Sequence, residues 1–174
     1  MKLLHLIGLV LGALSLAGPA AAHKAHVHGL AQLSVALDGP VLSITLEAPL
    51  DGLVGFERAP RTDAERKAAS AALARLEDGA GLFKPDAAAG CTLAAARVSA
   101  PVLEPGAGGS GGEHADLDAA YTFRCGSPQA LRTLQVGLFE AFPRLTQIDV
   151  QMAGVRAQAK TTLKRPARSV TLPR

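Results

Sequence analysis

Between Ala115 and Cys125 apolar and polar residues alternate almost without error. Ala115, Leu117, Ala119, Tyr121, Phe123 and Cys125 fall on one side. Asp116, Asp118, Thr122 and Arg124 fall on the other, and His114 continues that polar side. A period of two is the signature of a strand with one face on a core and one in water. One such strand cannot stand alone; it needs neighbours of the same pattern. The chain supplies them. Val27, Ala31, Leu33, Val35 and Leu37 alternate with His26, His28, Gln32 and Ser34, with Leu30 the one exception. After the turn signal Asp38-Gly39-Pro40, Leu42, Ile44 and Leu46 alternate with Ser43, Thr45 and Glu47. A hairpin that pairs Leu37 with Leu42, Val35 with Ile44 and Leu33 with Leu46 puts both apolar sets on one face, closed by a loop over 38–41.

Pro49 ends the second strand, and Gly52 and Gly55 mark a loop. Thr62 then reads as a helix N-cap, with Glu65 completing a capping box and Asp63 in the first turn. Ala69, Ala72, Leu73 and Leu76 form a narrow apolar stripe at helical spacing, and Gly79 reads as the stop. From Cys91 to Val102 the chain is extended but poorly alternating. Residues 104–113 are rich in Gly, Pro and Ser and read as a flexible loop. Beyond Cys125, Leu134, Val136 and Leu138 suggest a strand broken by Phe142-Pro143. Ile148, Val150 and Met152 suggest another. After Ala153-Gly154 a last one runs from Val155 to Leu163. The order is strand, strand, helix, then about five strands, without a regular strand–helix–strand unit. The fold class is α+β: a mainly antiparallel sheet of about six or seven strands with one covering helix, about residues 62–78. Residues 155–174 carry six Lys/Arg and no acid, so 166–174 read as a solvated basic tail, with contact to anionic lipid headgroups as the alternative.

Residues 1–22 do not belong to this domain, which is expected over 23–165. Lys2, the apolar run Leu3 to Leu16 and the small residues Ala17 to Ala22 have the layout of a secretory signal peptide cleaved after Ala22. The run is too short to span a bilayer, and no later stretch approaches that length. Export makes nucleic acid an unexpected partner, and aromatic residues, at 3% with no Trp, offer no stacking platform for it. Export also favours oxidised thiols. Cys91 and Cys125 are the only two, so they are expected to form one disulfide stapling the sheet across the Gly-rich loop.

Three histidines, His23, His26 and His28, sit within six residues at the start of the mature chain. If the strand starts there, His26 and His28 leave its polar face together and offer two imidazoles to one metal ion. Two imidazoles bind weakly, so further donors are needed. Candidates are His23 with the new α-amino group, His114 and Asp116 on the polar face of the later strand, and Glu57 in the Gly-Phe-Glu loop. An N-terminal His offers amine plus imidazole chelation, which copper(II) takes more strongly than zinc. No nucleophile motif, Cys-x-x-Cys pair or closed ligand set with a base is present, and no catalytic activity is expected.

Ala25-His26-Val27-His28-Gly29, the Pro49–Pro60 segment with Gly55-Phe56-Glu57, the spaced Cys91 and Cys125, Tyr121-Thr122-Phe123-Arg124-Cys125 and Leu138-Phe139-Glu140-Ala141-Phe142-Pro143 occur in one order over nearly the whole mature chain. In these motifs the chain resembles the ZrgA-like family of periplasmic zinc-binding proteins of zinc uptake. The resemblance implies zinc as the ion, the periplasm as the compartment and envelope components of an uptake system as partners. It departs from the family twice. Arg58 stands where a His commonly follows Gly-Phe-Glu, and a His- and Asp-rich insertion is reduced here to a Gly-rich stretch with His114 alone. A different class of function is an envelope adaptor that docks a partner on its sheet and binds metal incidentally.

Overall fold

The computed structural model describes residues 28–104 and 115–173. The predicted hairpin forms from β1 (Leu30–Asp38) and β2 (Val41–Pro49) in the expected register, Leu33 opposite Leu46, Val35 opposite Ile44 and Leu37 opposite Leu42. Asp38 and Val41 still pair, so the turn itself is only Gly39-Pro40. Four more strands share this sheet: β4 (Cys91–Ser99), β5 (Asp116–Cys125), β7 (Gln147–Ala153) and β8 (Gln158–Lys164). Their order is β4-β5-β2-β1-β7-β8. Every ladder is antiparallel except β1–β7, which runs parallel. A second sheet has the order β3-β6-β9, from β3 (Phe83–Pro85), β6 (Thr133–Val136) and β9 (Ser169–Thr171). The fold is α+β and mainly antiparallel.

The large sheet buries one face. Leu33, Val35, Ile44, Leu46, Leu117, Tyr121, Phe123 and Val150 are all almost completely inaccessible, while Ser34, Ser43, Thr45 and Ala120 between them are exposed. The covering helix α2 (Asp63–Glu77) starts at a true capping box: Thr62 Oγ1 accepts from the Glu65 N–H, and the Glu65 carboxylate accepts from the Thr62 N–H. Ala69, Ala72 and Leu76 form its buried stripe. The buried Tyr121 hydroxyl donates to the Leu76 carbonyl at 2.8 Å, locking helix to sheet. Phe83 packs its ring 5.0 Å from that of Tyr121, so the small sheet shares the same core. None of the described helices is long and apolar enough to cross a membrane.

Cys91 and Cys125 sit opposite each other at the end of the β4–β5 ladder and are joined by a disulfide, with Cα atoms 3.8 Å apart. Other expectations need correction. Gly79 does not stop α2; Asp78 ends it and caps a further short helix, α3 (Gly79–Leu82), by accepting from the Gly81 N–H. Leu138 is not in a strand but opens α4 (Leu138–Ala141). The last strand of the large sheet begins at Gln158, leaving Val155 on an exposed turn. Much of the basic tail is ordered: Val170 and Leu172 are buried, and β9 pairs with β6. The signal segment, and the Gly-rich loop after Glu104, lie outside the described residues.

Candidate metal centre

At the end of the large sheet opposite the disulfide, β2 runs out at Pro49 and the chain turns into α1 (Leu50–Val54). Leu50 and Leu53 are buried and hold this turn on the core. The Leu50 N–H donates to the Ala115 carbonyl at 3.0 Å, tying α1 to the chain just before β5. Asp51 lies in the first turn, where the peptide dipoles favour an acid. Its Oδ1 is buried with no hydrogen-bond partner among the described residues, an arrangement that leaves a carboxylate short of compensation. Its Oδ2 is 3.7 Å from His28 Nδ1.

His28 sits on a turn before β1, not on the strand. Gly29 adopts φ +73°, a conformation that breaks the alternation read from Val27 onward and starts the strand at Leu30. Its carbonyl accepts from the N–H of Thr146 at 2.8 Å and of Gln147 at 3.2 Å, so the turn is docked on the segment entering β7. Arg165 holds that segment: its guanidinium donates to the carbonyls of Phe139, Pro143 and Leu145 at 2.8, 3.1 and 3.3 Å.

The third donor comes from the loop after α1. Gly55 ends the helix at φ +90°, and a Cβ there would meet the Arg144 side chain at 2.9 Å. Two residues later Glu57 Oε1 lies 3.9 Å from His28 Nε2. Arg58 grips Glu65 with both terminal nitrogens, at 2.7 and 3.1 Å. That guanidinium, with the N–H groups of Arg61 and Thr62, holds the Glu65 carboxyl down at about 2.

One ligand atom each of His28, Asp51 and Glu57 lies within 4.8 Å of the other two. The His28 side chain is 75% exposed, Asp51 23% and Glu57 39%, so the group opens to solvent on the imidazole side. Two carboxylates around one imidazole favour a cation. Tetrahedral zinc with bonds of about 2 Å sets its donors about 3.3 Å apart. The two carboxylates approach different nitrogens of His28, and one atom of each residue lies within 4.8 Å of the others, so the side chains must close in for one imidazole nitrogen and both acids to share an ion. One nitrogen and two oxygens make a borderline-hard set that suits zinc and leaves a fourth position open.

Of the residues named from the sequence, the structure brings His28 and Glu57 together. Asp116 lies at the same end of the sheet, opposite Pro49, but outside the three-residue group. His23, His26 and His114 lie outside the described residues. Asp51 was missed. The available signal was an acid between Pro49 and Gly52 beside the Gly-Phe-Glu loop, but a helix of five residues is too short to show a helical period.

Compared with known families, residues 25–172 match the model described as ZrgA family zinc uptake protein. The match covers everything from before His26 to the end of β9. No match was found among curated proteins.

Proposed function

The chain belongs to the ZrgA family of zinc uptake proteins, and from that premise we propose that it is a periplasmic zinc-binding protein that holds Zn2+ reversibly at His28, Asp51 and Glu57. The observation that carries this reading is the convergence of those three side chains, from three separate segments, within 4.8 Å. Zinc is the cargo here. An exposed imidazole with two carboxylates suits exchange with a delivery partner in the envelope better than a closed thiolate cage. Both cysteines are already bonded to each other.

The open fourth position has candidates close in sequence. His26 precedes His28 by two residues, with His23 and the amine freed by cleavage after Ala22 beyond it. His114 precedes Ala115, whose carbonyl is tied to Leu50 beside Asp51. Asp116 follows from the same side. The role is binding and transfer, without chemistry on a substrate.

Calorimetric titration of the mature protein with zinc tests the reading. One zinc should bind well below millimolar, and Asp51→Ala should weaken it by roughly tenfold to a hundredfold, as loss of a ligand or its support does. Absence of binding below about 1 mM, an affinity of only about 4 kcal/mol, would favour the envelope adaptor instead. Stronger retention of copper(II) than of zinc, lost when a residue is added before His23, would move the site to the N-terminal amine.

A further inference from the structure

We propose that Arg58 is a positioning residue of the metal centre: by gripping Glu65 across the loop between α1 and α2, it aims the Glu57 carboxylate at His28. The inference rests on the zinc reading of His28, Asp51 and Glu57.

Glu57 lies in a stretch without helix or strand, between the end of α1 at Val54 and the start of α2 at Asp63. A ligand on such a loop has to be ordered when metal binds, which weakens binding unless the order is already present. Arg58 supplies that order from both sides of Glu57. Its guanidinium lies 5.4 Å over the ring of Phe56, which packs against the hydrophobic core. The same guanidinium makes the two-pronged contact with Glu65 and donates to the Ala59 carbonyl at 3.1 Å. Phe56 and Arg58 thus stack together, and Glu57 between them reaches His28. Glu65 is itself fixed. It sits in the first turn of α2 and accepts from the backbone N–H of Arg61 at 2.6 Å and of Thr62 at 3.2 Å. A continuous mechanical path therefore runs from the helix cap to a metal donor. A planar, two-pronged guanidinium–carboxylate pair fixes orientation as well as distance, which a lysine does not.

The sign of the effect makes this decidable. A bare cation beside a zinc site repels the metal, so its removal tightens binding. A positioning cation neutralised by its own carboxylate does the reverse. In the mature protein, Arg58→Ala should weaken zinc binding by about tenfold, the lower end for loss of an outer-shell partner. Glu65→Gln should weaken it in the same direction while keeping α2 capped, because Gln serves equally in a capping box. Arg58→Lys should restore only part of the loss. In a Glu57→Gln background, Arg58→Ala should have no further effect, since the ligand it aims is gone. Tighter or unchanged zinc binding in Arg58→Ala, or an equal loss in the Glu57→Gln background, overturns the inference.

A readout without metal separates the two readings. Amide exchange at Gly55, Arg61 and Thr62, the hydrogen-bonded N–H groups on either side of Glu57, should quicken by about tenfold in metal-free Arg58→Ala, as local opening becomes easier. Unchanged exchange with zinc binding intact overturns this inference alone. A wild-type chain with no zinc affinity overturns the proposed function, and the aiming of Glu57 with it.

Discussion

β5 connects two ends of the sheet that are built on opposite plans. At Cys125 the strand is bonded covalently to Cys91, and its neighbours Phe123 and Tyr121 are buried. At Asp116 it reaches the edge where α1, the Gly29 turn and the Glu57 loop meet. There, beyond the buried anchors Leu50 and Leu53, the contacts are hydrogen bonds, glycine backbone and paired charges. The first end is closed and apolar; the second is open and polar. On the zinc reading, the difference teaches how a domain of this size would hold an exchangeable ion. Stability is concentrated where no ligand has to come and go, and the donor end is left free to be tuned without unfolding the rest.

The largest expected effect tests the closed end. Replacing both Cys91 and Cys125 by Ser opens a ring whose ends are separated by 34 positions. The chain-entropy model gives about 3.8 kcal/mol for such a ring, an upper value if the reduced chain retains structure. Chemical denaturation should show a loss of that order with little change in zinc affinity. A collapse of zinc affinity in folded double-Ser protein would break the comparison, because the two ends would then be coupled.

His28→Ala probes the open end. Zinc binding should weaken roughly tenfold to a hundredfold, about 1.4 to 2.7 kcal/mol. The denaturation midpoint of the metal-free chain should stay where it is, because the His28 side chain is 75% exposed. A fall in that midpoint would give His28 a structural role instead. Smaller again is Gly55→Ala. A Cβ at φ +90° is in the left-handed region and collides with Arg144, so a loss of about 1 kcal/mol is expected, with weaker zinc binding because Glu57 hangs from the same turn. Stability lost without any change in zinc affinity would separate the Gly55 turn from the site.

The smallest effect is a pH dependence. The Glu65 carboxyl is held at about 2, below its ordinary 4.5. A lowered folded value means stabilisation that is complete above the ordinary value and is lost as pH falls from about 4.5 toward about 2. Arg58→Ala should therefore lower stability slightly at neutral pH and flatten the fall across that window, so that the two profiles meet near pH 2. A profile identical to wild type would show that the contact between them does not persist in solution.

Much of the closed end was legible in the sequence, and less of the open end. Strict alternation gave the β1–β2 register residue for residue, because a slip of one would turn Leu33, Val35, Ile44 and Leu46 to water. The capping box at Thr62 and Glu65 and the pairing of the only two thiols were equally readable. Errors arose where elements are short. The spacing of Leu134, Val136 and Leu138 satisfies a strand, yet the backbone turns at Gly137 into the four-residue α4. Val170 and Leu172 were hidden among basic residues, and their burial comes from pairing β9 with β6, which local pattern does not encode. In the candidate site, His28 and Glu57 were named from the sequence, but Asp51 was not. Its place depends on α1 being held down by Leu50 and Leu53, a tertiary fact.

The turn that presents His28 is held by Thr146, whose hydroxyl and N–H both donate to the Gly29 carbonyl across a separation of 117 residues. The parallel β1–β7 ladder that begins beside it spans the same distance. Contacts so remote along the chain form slowly, because a large loop must close before they repay its entropy. The β1–β2 hairpin can assemble from neighbours, but the donor triad waits until the chain beyond residue 146 has been delivered. A partly synthesised or partly folded molecule would thus carry its histidine without the geometry that makes it a candidate ligand, and on the zinc reading metal capture is a property of the finished fold alone.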